Sequence, residues 1–163
     1  MLALIKEYFW VFFISMVPLV ELRGAVPVGV GMGLPLVPTY IVSVIGNMLP
    51  VPIILLFAKA VLLWCTKLPG GFGRFFMKIY DKGVKAGDKL QAKAGRGIYW
   101  ALFLFVAIPL PGTGAWTGCL AATLLDLKFW PSVLAVLGGV MTAGLIMGAA
   151  SAGLFGALGM ILA

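Results

Sequence analysis

The sequence predicts an all-α integral membrane protein of two inverted repeats. Each repeat is a re-entrant helix-break-helix hairpin followed by a transmembrane helix, and a basic amphipathic interfacial helix lies between the repeats. Three observations lead there. Hydrophobic residues make up 63% of the 163 and charged residues only 10%, against about 45–50% and about 25% in soluble domains. The few charges are clustered, which leaves apolar stretches long enough to cross a bilayer. A half-length apolar run that ends in a Pro/Gly-rich stretch also occurs twice, 91 residues apart. The chain reads as one membrane domain over 1–163, with repeat 1 at 1–64, a linker at 65–97 and repeat 2 at 98–163.

Charge spacing draws the topology. Between Arg23 and Lys59 there are 35 uncharged residues, between Arg96 and Asp126 there are 29, and after Lys128 there are 35 more. A spanning helix needs about 20 apolar residues, so each gap holds at least one crossing. The stretch from Lys59 to Arg96 holds nine Lys or Arg and two Asp, a net +7 that equals the charge of the whole chain. The excess of basic residues places loop 65–97 in the cytoplasm and the protein in the cell inner membrane as a multi-pass chain.

That loop has its own pattern. Phe72, Phe75, Phe76, Ile79 and Leu90 fall on one helical face, while Lys78, Lys82, Lys85, Lys89 and Lys93 line the other side. Such a helix lies on the inner membrane surface, where each lysine meets anionic headgroups for about 1 kcal/mol. Membrane lipids are the expected partners and nucleic acid is not, because the stripe is short and adjoins membrane segments at both ends.

The repeat appears when residues 8–19 are laid on 99–110. Tyr8 matches Tyr99, Phe12 matches Phe103, Pro18 matches Pro109 and Leu19 matches Leu110. In both halves the apolar run meets a proline about 11 residues in, roughly 16 Å, half the hydrocarbon thickness. Helix-breaking sequence follows: Pro18 to Pro27 in the first half, Pro109 to Gly118 in the second. A longer apolar segment comes next in each, 38–64 and 130–163. Proline removes a backbone donor, and broken backbone survives in lipid only where protein or a watery cavity covers it. A half-length helix ending in such a break is the pattern of a re-entrant hairpin, and one net crossing per half makes the halves inverted. Plain kinked spans tolerate the same residues and stay open here. The last segment is about 50 Å if wholly helical, so a kink or break is expected near Gly153. Trp10, Trp64, Trp100 and Trp130 sit at segment ends as interface anchors. Gly-rich faces invite packing, with a homodimer as the expected assembly.

Glu21 and Arg23 are the sharpest signal. Both lie in the first break, between apolar flanks. A charge at mid-bilayer depth costs roughly 2.5–3.5 kcal/mol, and such residues are paired, cavity-facing and functional. A carboxylate there can carry a coupling proton or ion. Arg23 can grip a phosphate or carboxylate with two parallel bonds. A structural Glu–Arg pair, or a pair in the headgroup region, accounts for the same residues. Beside them in the breaks, Gly24, Pro27, Pro109, Pro111, Gly112, Thr113, Gly114, Trp116 and Thr117 form the candidate substrate-binding set, the threonines and exposed amides as donors to an anion. Asp126 beside Lys128 reads as an interfacial pair. The chain has no His, and Cys65 and Cys119 lack an evident base. No catalytic set, metal or cofactor is expected.

The order Glu-Leu-Arg-Gly-Ala-Val-Pro at 21–27, a basic loop, then Pro-Leu-Pro-Gly-Thr-Gly-Ala-Trp-Thr-Gly at 109–118 resembles the small multi-drug export protein family over essentially the whole chain. More distantly it resembles the DedA (VTT) membrane proteins. That resemblance implies two re-entrant hairpins in inverted arrangement and proton-coupled movement of lipid phosphates such as undecaprenyl phosphate. Glu21 then holds the first-hairpin acidic position and Pro109 to Gly114 the second-hairpin motif. The DedA proteins also carry arginines around that second motif; here Val106 and Thr113 stand nearby instead. The implied activity is secondary, proton- or ion-coupled transport of an amphipathic or anionic substrate. A lipid-phosphate flippase and a non-transporting structural membrane protein are the alternatives.

Overall fold

The computed structural model describes residues 2–18, 20–78, 80–81, 85, 97–110 and 112–162, with side chains between 4 and 154. Every regular element among them is a helix. They are α1 (Leu2–Met16), α2 (Glu21–Gly31), α3 (Leu36–Met48), α4 (Pro50–Thr66), α5 (residues 71–78), α6 (Gly97–Ala107), α7 (Ala115–Leu124) and α8 (Phe129–Leu162).

Proline places the breaks. α1 ends at Met16, two residues before Pro18, and α6 ends at Ala107, two before Pro109, because the residue preceding a proline is pushed out of the helical region. At about 1.5 Å per residue α2, α6 and α7 are each roughly 15–17 Å long, half a bilayer core. α3 and α4 are nearly continuous. Leu49 between them keeps helical angles, so residues 36–66 form one apolar run of 31 residues that is long enough to span. α8 is the second such run. Its helical backbone continues through Gly153 to Leu162, with no break at the expected place. A lone glycine lowers helix propensity by only about 1 kcal/mol and does not interrupt a helix as proline does.

The two halves share their local geometry. Helices α1 and α6 end 91 residues apart; α3 and α8 begin 93 apart, because the second break is longer. After the breaks the match is residue by residue. α2 buries Leu22, Ala25, Val26 and Gly29, and α7 buries Ala115, Gly118, Cys119 and Ala122. Both end in the same Schellman cap. Leu34 N–H donates to Gly29 O and Gly33 N–H to Val30 O; 93 residues on, Leu127 donates to Ala122 O and Asp126 to Thr123 O. The left-handed residue is Gly33 (φ 82°) in one cap and Asp126 (φ 51°) in the other. Thr39 Oγ1 donates to Pro35 O as Ser132 Oγ donates to Lys128 O.

Packing follows the same scheme. α1 lies on α3, and α6 on α8. Each second arm then also packs across onto the other half: α2 on α8, α7 on α4. Two glycines permit the first contact. A Cβ at Gly46 would sit 2.6 Å from Phe12 O, and one at Gly139 would sit 2.9 Å from Phe103 O. The interior where the halves meet holds Leu22, Val26, Val51, Val106, Ala115, Cys119, Val136 and Val140.

The outer faces of the long helices are apolar and exposed, with Leu56, Phe57, Leu134 and Leu145 among them. An aliphatic exterior of this kind is the surface of a membrane protein. Trp10, Trp64, Trp100 and Trp130 are all exposed on it. In α5, Phe72 and Phe75 are exposed too. Lys78 and Lys85 are exposed; Lys82, Lys89 and Lys93, with Ile79 and Leu90, lie outside the described residues.

Candidate functional site at the junction of the two breaks

The first break touches the second. Glu21 is 4% exposed and has a left-handed backbone (φ 52°) at the start of α2. Its Oε2 accepts the Ala115 N–H at 3.1 Å and its Oε1 the Trp116 N–H at 3.0 Å. These amides belong to the first turn of α7, where the opening N–H groups of a helix have no partner within it and the dipole is positive. A carboxylate from one half thus caps a helix of the other. Trp116 closes the contact by donating its indole N–H to Met16 O at 3.1 Å.

Arg23 does the converse. Its Nη2 donates to Val106 O at 3.0 Å, to Ile108 O at 3.1 Å and to Thr113 O, and its Nη1 donates to Leu110 O at 2.5 Å. Val106 lies in the last turn of α6, whose carbonyls are unsatisfied and whose dipole is negative. The other three carbonyls belong to the break. A planar guanidinium with five donors can serve several acceptors at once, which an ammonium cannot. Glu21 and Arg23 thus cover the start of α7 and the end of α6, on either side of the second break, with matching charge. Among the described residues no ion pair joins them to each other; the ion pair present is Lys59 Nζ to Asp126 Oδ1 at 2.5 Å. Asp126 therefore pairs with α4, not with Lys128 beside it in sequence. Asp126 leaves the α7 cap pointing at a helix that packs on α7, while Lys128 lies two residues further toward α8.

The break itself is built around this contact. A Cβ at Gly114 would overlap the Glu21 carboxyl group. Gly114 N–H donates to Thr117 Oγ1 at 2.8 Å, and Thr113 Oγ1 donates to Ile108 O and Leu110 O. Gly112 turns the chain with φ 82°. Glu21, Arg23, Thr113, Gly114 and Trp116 are therefore brought together, with Thr117 one hydrogen bond behind. Gly24 lies under Val20. Pro27 sits inside α2, half-buried and one turn beyond Arg23. Pro109 is half-buried; Pro111 lies outside the described residues.

Cys119, Ser43 and Asn47 are among the buried polar side chains to which the reading of the sequence assigns no role. Cys119 is fully buried on α7, one turn from Ala115. Ser43 and Asn47 are fully buried on α3. The signal for the latter two was present, as a polar pair four residues apart in an otherwise apolar span.

Residues 21–146 match the family described as "Putative small multi-drug export protein". The chain belongs to that family. The match begins at Glu21, inside the first break, and takes in the basic loop, the second break and the first half of α8. No curated protein and no solved structure matches the chain. Membership of an export family, with an all-helical fold and an apolar exterior, makes this a membrane protein and points to a transporter rather than an enzyme.

Proposed function

We propose that this chain is a small secondary transporter of the inner membrane. It moves an amphipathic or anionic substrate past the junction of two re-entrant hairpins, in exchange with or together with protons or ions. In this reading α1–α2 and α6–α7 are the hairpins, α3–α4 and α8 are the spans, the halves are inserted in opposite senses, and loop 65–97 faces the cytoplasm. The crossed capping of α6 and α7 by Arg23 and Glu21 carries the proposal. Interrupted helices whose ends face a midplane site are how secondary transporters hold charged cargo. Here the free ends are held by side chains that can let go.

The coupling follows from electrostatics. While Glu21 is ionised it occupies the α7 amides, and Arg23 occupies the carbonyls of the second break. A proton or a cation on Glu21 cancels the charge that holds the amides. The amides of Ala115 and Trp116 then offer an anion site at a helix N-terminus, and Arg23 supplies the countercharge once it leaves the break carbonyls. Hydrophobic parts of an amphipathic substrate lie against the apolar interior. Glu21→Gln and Arg23→Ala each abolish flux in proteoliposomes while the protein still inserts and purifies. Full activity of both variants ends the proposal.

Lipid-phosphate flipping is the second reading, and one feature favours it. An apolar cleft of about 240 Å³ opens between α6 and α7, lined by Ile98, Leu102, Phe105, Ala121 and Leu125. It has the character of an acyl-chain groove beside a headgroup site. Lipid retained through purification, together with fluorescent-lipid translocation in vesicles, distinguishes this reading from export of a soluble compound.

A further inference from the structure

The 93-residue correspondence sets the polar pair Ser43 and Asn47 against Val136 and Val140. The register here is tight: Pro38 answers Pro131, Thr39 answers Ser132, Gly46 answers Gly139 and Met48 answers Met141. All four residues in question are fully buried. In α8 the two positions are valines in the apolar interior. In α3 they are a hydroxyl and an amide, and among the described residues Ser43 Oγ, Asn47 Oδ1 and Asn47 Nδ2 have no hydrogen-bond partner. Their helix neighbours Val44, Met48 and Val51 pack into the same interior as Leu22 and Ala115, the residues next to Glu21 and Gly114.

A buried amide or hydroxyl without a partner is destabilising wherever it sits, and more so in lipid. The fold carries a valine at each matching position, so apolar residues are compatible with the scaffold. Packing therefore does not explain the polar pair. Serine bonding back to the i−4 carbonyl is the ordinary resolution in membrane helices. Thr39, Ser132, Thr142 and Ser151 all do so here, and Ser43 does not. We propose that Ser43 and Asn47 form a neutral hydrogen-bonding site in the first half only. It takes a small uncharged group that both donates and accepts, either water or the hydroxyl or amide part of the transported molecule. Asn47 offers one acceptor and two donors and Ser43 offers either. The site lies in the interior shared with the charged junction, so a substrate bound there would present its neutral polar part to α3 and its charged part to the second break. That last step rests on the transporter reading; the existence of the site does not.

The test uses full-length protein in lipid vesicles, with Cys65→Ser and Cys119→Ala as background. Ser43→Cys, Asn47→Cys, Val136→Cys and Val140→Cys are each treated with 2-aminoethyl methanethiosulfonate, a water-soluble probe. A hydrated polar site labels Ser43→Cys and Asn47→Cys at least tenfold faster than the two valine positions. Equal rates at all four, or no labelling at residues 43 and 47, overturns the site. Ser43→Cys changes a single atom and carries the test alone should Asn47→Cys fail to fold. A second arm identifies the occupant. Ser43→Ala/Asn47→Val, with the valine that the other half carries, is assayed for flux of carboxyfluorescein, an amphipathic anion with a phenolic hydroxyl, in proteoliposomes. A tenfold loss of flux with unchanged insertion assigns the site to the substrate's polar group. Unchanged flux with labelling retained at residues 43 and 47 assigns it to water. Because labelling needs no transport, an inactive protein that still labels would sink the transporter reading and leave the site standing.

Discussion

If Glu21 caps α7 through the space that Gly114 leaves free, then the two residues are one device and their substitutions must not add. Glu21→Gln keeps one acceptor but turns the other oxygen position into a donor facing a backbone N–H. It also removes the charge from a helix N-terminus. A hydrogen bond to a charged group contributes about 1.5–3 kcal/mol, and a charge at a partly buried helix end about 0.3–2 kcal/mol. One lost bond plus the lost charge makes about 2–4 kcal/mol. Gly114 has extended backbone angles, φ −132° and ψ −171°, which alanine adopts without strain. Gly114→Ala therefore acts only through its methyl group, which overlaps the carboxyl group most closely at Oε2, breaking the Ala115 bond and moving the charge off the helix end. Its cost is the same about 2–4 kcal/mol. Independent effects would sum to about 4–8 kcal/mol; the shared contact predicts that the double variant costs little more than either single one. The coupling is then on the order of 2 kcal/mol or more, well above the roughly 0.5 kcal/mol within which unconnected sites add. Melting in detergent reads it as a fall of about 5–15 °C in Tm for each single variant and almost none further for the double. Additive falls would refute the capping geometry.

Three further outcomes follow from the same structure. Arg23→Lys replaces a fork by a point donor and loses most of what Arg23→Ala loses, about 2–4 kcal/mol in Tm measurements, since one ammonium cannot serve the Val106, Ile108, Leu110 and Thr113 carbonyls together. Asp126→Gly ranges from neutral to about 2 kcal/mol more stable: glycine relieves a left-handed backbone worth about 1–2 kcal/mol while an exposed ion pair worth about 0–1 kcal/mol is lost. Asp126→Ala loses the pair, keeps the strain, and melts lower than Asp126→Gly. Gly46→Ala and Gly139→Ala each press a methyl group on the facing backbone oxygen of Phe12 or Phe103. They cost a similar about 1–3 kcal/mol, and a large difference between them in thermal melts would contradict the matched packing of the two halves.

Helices, breaks and the apolar exterior were legible because local physics decides them. Pro18 and Pro109 end α1 and α6 wherever the chain goes afterwards, and the charge-free gaps hold the long helices. The full register was not legible. An offset of 91 aligns α1 with α6, but the second break is longer, and Gly46 meets Gly139 only at 93. The residues at the junction were legible by type, since a buried Glu and Arg in lipid must have partners. The partners were not. Backbone amides and carbonyls at a helix end have no signature in a sequence; they matter only once another segment arrives. Lys59 and Asp126 are 67 residues apart, and nothing short of the packing of α7 on α4 joins them. Asn47 and Ser43 were overlooked because a neutral side chain draws notice only when its burial and lack of a partner are known.

One acid and one base two residues apart can be read as a salt bridge that pins a bend, but each of the two side chains is engaged by backbone at the second break instead. At the tip of a broken hairpin, where one helix breaks off and the next begins, the carboxyl end of the first and the amino end of the second lie close together. Their partial charges are opposite and only a few ångströms apart. A Glu-Leu-Arg segment laid across such a tip satisfies both ends if the acid meets α7 and the base meets α6, and that is the order found. The order is what a charge exchange tests. Glu21→Arg/Arg23→Glu preserves net charge and any mutual attraction, so a simple pair would survive it. Capping would not, because a guanidinium would then face the Ala115 and Trp116 amides and a carboxylate the carbonyls of Val106 and Thr113. Each is a like-against-like contact in a buried setting. The exchanged protein should be less stable than either Glu21→Gln or Arg23→Ala, and inactive in vesicles. An exchanged protein that melts and transports like the parent would return Glu21 and Arg23 to the role of an ordinary ion pair.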